Sequence, residues 1–237
     1  MHMKKKLFLA GLFDGLPIGL GYLAVSFSFG IAAVAAGLTP FEAIIISMTN
    51  VTSAGQFAGI GIITAGGSYF EMGLSQFVIN LRYSLMGISI SQKLDKSFTP
   101  AKAAVLGHML TDEIFAVASS RPRLVRPLYF GGLALLPYIG WSAGTALGAL
   151  FGTLLPKDLC DALSVAIYGM FIAIIIPKMK TDRAILTVTL IAVAISCILY
   201  YVPLFDGISS GFSIIICAVA ASAIGALLFP IKEGEDK

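Results

Sequence analysis

"NVTSAGQFAGIG", residues 50–61, interrupts a run of oil: "FEAIIISM" (41–48) precedes it and "IIT" (62–64) follows. Asn50, Thr52, Ser53 and Gln56 stand there with Gly55, Gly59 and Gly61. In lipid each unpaired backbone group costs several kcal/mol, so irregular backbone at that depth survives only where protein buries it or a wet cavity meets it. The stretch therefore reads as a helix broken within 41–65. The glycines loosen the backbone, and Asn50, Ser53 and Gln56 can bond freed amides and carbonyls. The alternative is an ordinary helix in which GQFAG is a GxxxG packing contact.

The rest of the chain supplies the membrane. Of 237 residues, 57% are hydrophobic and 12% charged, with a mean hydropathy of +0.92. No water-soluble domain of this size could cover so much apolar surface. Apolar stretches of about 20 residues recur from Leu7 to Phe229, roughly eight in all, each long enough to cross a hydrocarbon core. The expected fold is an all-α polytopic membrane protein of about six to eight transmembrane segments, some broken or re-entrant, in a single domain spanning 1–237. "MHMKKKLFLAGLF" starts like a secretory signal, but its apolar run continues for about 30 residues and contains Asp14, so it reads as an uncleaved first helix.

The cations come in short clusters between apolar runs, which excludes a nucleic-acid partner and marks topology instead. Lys4, Lys5 and Lys6 place the N-terminus inside. The cation-free "GLTPFE" then lies outside, and Lys178, Lys180 and Arg183 in "PKMKTDR" lie inside. Segments 127–152, 159–177, 184–202 and 210–229 alternate to a cytoplasmic C-terminus. If 41–65, 70–91 and 103–119 all crossed, Lys93, Lys96 and Lys102 would lie outside, against the positive-inside rule. Both halves agree if 41–65 dips in and returns on the outer face and 103–119 does so on the inner face. "GLPIGLGYLAVSFSFGIAAVAAGLTP" and "LLPYIGWSAGTALGALFGTLLP" share a Pro/Gly start and a Pro finish, which suggests repeats over 7–120 and 126–230.

Several residues are candidates for chemistry. Gly140, Gly144, Gly148 and Gly152 line one helix face as a packing seam. Pro17, between Gly15 and Gly19, is expected to split helix one into half-helices whose free amides near Gly19 suit a carboxylate. Arg82 sits near the middle of an apolar segment beside Asn80 and Tyr83, and an ionisable group there costs at least about 2.5 kcal/mol without a partner. Asp112, Glu113 and Asp14 are the candidate partners, and either a structural ion pair or contact with a solute accounts for Arg82. His108, four residues before Asp112, would share its helix face as a proton relay. Glu42 and Glu71, at segment ends, are expected to be wet. Cys160, Cys197 and Cys217 read as buried free thiols. Gly19-Leu-Gly21-Tyr-Leu-Ala24 fits a dinucleotide fingerprint but lies in a membrane helix with no strand before it. With His2 and His108 the only histidines, neither a metal site nor an enzyme is expected, and no cofactor is implied.

Taken in order, "GLPIGLGYLAVSFSFGIAAVAAGLT", "SAGQFAG", "INLRYSLMG", "LTDEIFAV" and "WSAGTALGALFGTLLP" resemble the AzlC family of branched-chain amino acid permeases across nearly the whole chain. The resemblance implies export of leucine, isoleucine or valine from the bacterial cytoplasm through the inner membrane, with a small membrane subunit of the AzlD type. Members often read "NLRH" where this chain has Asn80-Leu81-Arg82-Tyr83, so any role of that histidine is not carried to Tyr83. On this reading the solute meets broken backbone near Pro17, Gly19, Ser53 and Gly55, with Arg82, Asn50, Asn80 and Gln56 for its charges and Phe57 for its side chain. Asp14, His108, Asp112 or Glu113 would carry a coupled proton. A homo-oligomer is also compatible. The rival reading is a channel whose re-entrant segment is a selectivity element.

Overall fold

The computed structural model describes residues 2–154, 156, 158, 172, 175–177 and 179–230. Apart from one parallel bridge pairing Leu94 with Val125, regular structure among them is helical: α1 (His2–Ala35), α2 (Pro40–Thr49), α3 (Ser53–Thr64), α4 (Tyr69–Ser91), α5 (Pro100–Gly107), α6 (Asp112–Ser120), α7 (Pro127–Phe151), α8 (Arg183–Tyr201) and α9 (Ser210–Leu228). Among the described residues, four helices are long and apolar enough to cross a membrane, within Lys4–Ala35, Pro127–Phe151, Arg183–Tyr201 and Gly211–Leu228. The 23-residue α4 has the length, but its polar residues lower its hydropathy. The expected segment 159–177, with Cys160 and Lys178, lies almost wholly outside the described residues.

Residues 41–65 are indeed broken. Asn50–Thr52 leave helical geometry between α2 and α3. Residues 103–119 break as well, at 108–111 between α5 and α6. At about 1.5 Å per residue, α2 spans about 15 Å and α5 about 12 Å, half a hydrocarbon core or less.

The chain forms two compact units, Met1–Phe57 with Asn80–Ile167, and Ala58–Ile79 with Tyr168–Lys237. In the first, α1 and α7 run parallel and side by side. A Cβ added at Gly11 would overlap the backbone of Tyr129, at Gly19 that of Leu136, and at Gly30 that of Thr145. From the other side, Gly132 faces Phe8, Gly140 faces Gly19, Gly144 faces Leu23 and Gly148 faces Phe27. The partner numbers rise together, so both helices point the same way. The four-residue glycine spacing on α7 is therefore a packing seam, and α1 contributes a matching one.

That seam also explains why Pro17 fails to split the first helix. α1 is continuous across it; Pro17 faces outward while Gly15 and Gly19, four residues apart, are buried against α7. The missing amide costs one hydrogen bond, and the close interhelical contact on the opposite face holds the helix together. No half-helix end with free amides forms near Gly19.

Loop 92–99 is stitched to 121–126, beside the first turns of α1 and α7. The Asp95 amide donates to the Val125 carbonyl at 2.8 Å and the Val125 amide to Lys93 O at 2.8 Å. The Lys93 ammonium donates to the Ser119 carbonyl. Residues 100–120 thus leave and return at one basic end, which carries Lys4, Lys6, Lys102, Arg121, Arg123 and Arg126. The segment is a hairpin and does not cross, and Lys93, Lys96 and Lys102 share the end of the N-terminal lysines. α2 starts from the opposite end of α1, where Thr39 and Glu42 form a reciprocal capping box. It descends along α7 until Met48 O accepts from the Tyr138 hydroxyl at 3.1 Å. Past the break, Phe57 stacks edge-on against Phe29 at 5.4 Å, so α3 sets off back the way α2 came.

In the second unit, Glu71 corrects the expectation of a wet side chain. It is 5% exposed and accepts hydrogen bonds from the Ser209 hydroxyl and, at 3.2 Å, the Gly211 amide, at the positive end of α9. Cys197 is exposed, not buried; Cys217 is half-buried and donates to Ala192 O at 3.2 Å.

Candidate functional site

A helix that stops in mid-protein leaves its last carbonyls and the next helix's first amides without intrahelical partners. Each break here supplies them locally. At the end of α2 the Thr49 hydroxyl returns to Ile45 O at 2.7 Å, and Met48 O is met by Tyr138 and by His108 Nε2 at 3.3 Å. At the start of α3, Thr52 O and Oγ1 accept from the amides of Gln56 and Gly55. At the start of α6, Thr111 is the N-cap and accepts from the Ile114 amide, and Asp112 and Glu113 fill the acidic first turn that a helix N-terminus favours.

The His108–Met48 bond joins the tips of the two broken segments, and a cavity of about 240 Å³ lies between them. Thr49, Asn50, Val51 and Thr52 line it from the first break; Gly107, His108 and Leu110 from the second; Asn80 and Tyr83 from α4. Its volume falls below the roughly 300 Å³ at which drug-sized pockets begin, so it suits a solute of few heavy atoms. The lining holds hydroxyls, amides, an imidazole and aliphatic groups, with no carboxylate, lysine or arginine. It is a neutral polar pocket flanked by helix ends of both signs.

Beneath it runs a buried polar chain. Trp141 Nε1 donates to Gln56 Oε1 at 3.1 Å, Gln56 Nε2 donates to Ser47 Oγ at 2.9 Å, and Ser47 and Thr145 share a 2.6 Å hydrogen bond. Gln56 is 1% exposed. Its amide is committed at both ends and straps α3 to α2 and α7. The Tyr22 hydroxyl lies against Thr111 Oγ1 at 2.7 Å and against the Glu113 carboxylate, and its ring meets Trp141 edge-on at 5.3 Å.

The expected residues thus divide. Asn50, Asn80 and His108 line the cavity; Ser53 and Gly55 stand on the first turn of α3 just beyond it. Gln56 and Phe57 brace α3 behind it. Arg82 pairs with Asp112 at 2.7 Å, both side chains 44% exposed, and its guanidinium also reaches the Tyr83 hydroxyl at 3.3 Å. Pro17 and Gly19 belong to α1 and its seam. Asp14 accepts from the Tyr129 hydroxyl at 2.6 Å, toward the basic end. His108 and Asp112 do not share a helix face: the first caps α5 and the second opens α6, because Thr111 starts a new helix between them. Tyr22, Thr49, Thr111 and Tyr138 join the expected residues without having stood out in the sequence. Thr111 followed by two acids is a legible N-cap signature.

Long apolar helices around two broken ones, with the breaks enclosing a small polar cavity, define a polytopic α-helical membrane protein. The chain belongs to the AzlC family, whose model, described as AzlC protein, matches residues 17–155. It is 34% identical to an Archaeoglobus fulgidus protein known only as an uncharacterized membrane protein, over 75% of this chain and 78% of that one. Against the inner membrane protein YgaZ of Escherichia coli identity is 27%, over 83% of each chain. The Bacillus subtilis branched-chain amino acid transport protein AzlC is 23% identical over 71% of this chain and 66% of its own length. No solved structure matches the chain.

Proposed function

We propose that this chain is a secondary transporter that carries branched-chain amino acids outward across the bacterial inner membrane, with both termini cytoplasmic and the proton gradient as its energy source. The observation that carries the reading is the meeting of two helix breaks at one small neutral cavity. A zwitterion needs both signs of partial charge without a net charge, and interrupted helices supply it: amide ends for a carboxylate, carbonyl ends for an ammonium. The first turns of α3 and α6 offer the amides; the side-chain carbonyls of Asn50 and Asn80 offer acceptors. Val51, Leu110 and the Tyr83 ring offer apolar wall for a branched side chain. Arg82, next to Tyr83 of the cavity wall, is held by Asp112 at the start of α6, where an arriving carboxylate can compete with Asp112 for its guanidinium.

Membership of the AzlC family and the likeness to the Bacillus subtilis transport protein support the substrate class. Glu113, bonded to Tyr22, and His108, at the cavity wall, are the groups placed to accept a coupled proton, with Asp112 engaged by Arg82. A small AzlD-type membrane subunit completes the exporter.

The test is efflux of labelled leucine, isoleucine and valine from vesicles, with and without a proton gradient. A carrier saturates and shows counterflow; linear, non-competable flux would replace it with a pore. Arg82→Ala, at matched protein level, is expected to lower efflux by about 10- to 100-fold, the loss of one hydrogen bond to a charged group. Unchanged efflux would remove Arg82 from the site.

A further inference from the structure

The strongest feature outside the cavity is the basic end of the first unit. A hollow of about 630 Å³ there is lined by Lys6, Arg121, Arg123 and Arg126, with Asp95 the one acid in its wall. A second, of about 460 Å³, adjoins it through Leu7, Asp95 and Arg126 and adds Lys4 and Lys102. Six cations therefore face one carboxylate. That carboxylate is largely engaged: Asp95 accepts from the Ser97 amide at 3.0 Å and from the Ser97 hydroxyl, and Arg126 stands 3.7 Å away. Arg121 lies over the Tyr129 ring at 3.6 Å from its centroid, which fixes its guanidinium at the rim. Lys6 and Arg123 form no ion pair or hydrogen bond among the described residues.

Two further features give the missing ligand a sign and a tail. α7 begins here at Pro127 without a side-chain cap, so its first-turn amides add positive potential. The hollow is also apolar on one side, through Leu7, Ala10 and Leu124, the last 56% exposed. Above it along α1, within the apolar span Lys4–Ala35, Leu9, Phe13 and Leu16 are exposed. A soluble anion has no use for that apolar track. An anionic phospholipid uses both parts, with its phosphodiester among the cations and its chains along α1.

We infer that this end of the molecule is a specific binding site for an anionic phospholipid, its headgroup phosphate held by Lys6, Arg121, Arg123 and Arg126. Lipid held there ties loop 92–99 and the starts of α1 and α7 to the membrane surface, the base from which the α5–α6 hairpin rises.

The test uses the full-length protein in neutral detergent, titrated with phosphatidylglycerol, phosphatidylcholine or soluble glycerol 3-phosphate, with bound lipid counted by native mass spectrometry. Phosphatidylglycerol is expected to be retained at least tenfold more tightly than phosphatidylcholine, and glycerol 3-phosphate not to displace it. Lys6→Gln with Arg123→Gln, which breaks no internal contact, is expected to weaken phosphatidylglycerol binding roughly 30-fold, at about tenfold per 1.4 kcal/mol and about 1 kcal/mol per cation. Lys180→Gln with Arg183→Gln, the same charge change in the other unit, is expected to leave it unchanged. Equal retention of the two lipids by the unmodified protein would overturn the inference without any variant. So would displacement by glycerol 3-phosphate, which makes the hollow a soluble-phosphate site, or equal losses in both double variants, which makes the attraction nonspecific.

Discussion

Gly140→Ala adds one methyl inside the α1–α7 seam, against the main chain of α1. The new Cβ would lie under 3.0 Å from the Gly19 backbone, where real Cβ atoms essentially never sit. Since the obstacle is main chain, no rotamer change relieves it, and the helices must part. Two opposing terms set the outcome. Alanine gains up to about 1 kcal/mol over glycine in a helix interior; overpacking a close contact costs about 1–3 kcal/mol. The net is expected to be destabilising by about 0–2 kcal/mol. Gly21→Ala on α1, where an added Cβ meets nothing within 4 Å, keeps only the first term and is expected to stabilise by up to about 1 kcal/mol. The gap between the two variants, about 1–3 kcal/mol, isolates the overpacking cost. Reversible unfolding in mixed micelles, read by circular dichroism, measures both on one scale. If the two variants shift stability in the same direction by the same amount, α1 and α7 do not touch as described.

Gln56→Leu is expected to cost about 1–3 kcal/mol, because Trp141 Nε1 and Ser47 Oγ lose their shared buried partner; a change below about 0.5 kcal/mol in the same unfolding assay would show that the strap is idle. Thr111→Val removes the N-cap of α6 and is expected to cost about 0.5–2 kcal/mol, with the α6 amides losing hydrogen-exchange protection before those of α7. The Ser97 hydroxyl and amide, helped by Arg126, hold the Asp95 carboxyl below its ordinary range against a smaller opposing desolvation. A depressed acid stabilises fully above its unfolded pKa and loses that contribution as pH falls through its folded value. Asp95→Asn should therefore flatten the fall in stability on the acid side of about pH 4 while leaving the slope near neutrality alone; an unchanged acid limb would contradict it.

How far the sequence could be read differs from one break to the other. The first was visible because Asn50, Thr52 and Ser53 are polar groups with no reason to be in lipid unless backbone there needs partners. The second segment is marked as re-entrant by Lys93, Lys96 and Lys102, which the positive-inside rule keeps at one end, but the place of its break is not: "GHMLTDE" reads as one helix that puts His108 and Asp112 on one face, although Thr-Asp-Glu marks a helix start. The Pro17 break failed for the converse reason: a local signal for a kink was overruled by a seam whose other half lies on α7, more than 100 residues away. Glu71 was misjudged in the same way, because its partners Ser209 and Gly211 are 138 and 140 residues distant. The Arg82 pairing with Asp112 was legible because so few acids could reach a cation in that segment. Local chemistry announces where a helix needs help, and only the tertiary contacts show which helices receive it.

The most direct measurement replaces Asn50 with cysteine in a chain whose Cys160, Cys197 and Cys217 are serine, and follows its reaction with a water-soluble thiol reagent in vesicles. The expected result is that the thiol reacts and that leucine, isoleucine and valine slow it in a saturable way while lysine does not. A thiol as silent as one placed at Phe13 on the exposed face of α1, or one that reacts at the same rate with and without those amino acids, would contradict a solute site where the two broken helices meet.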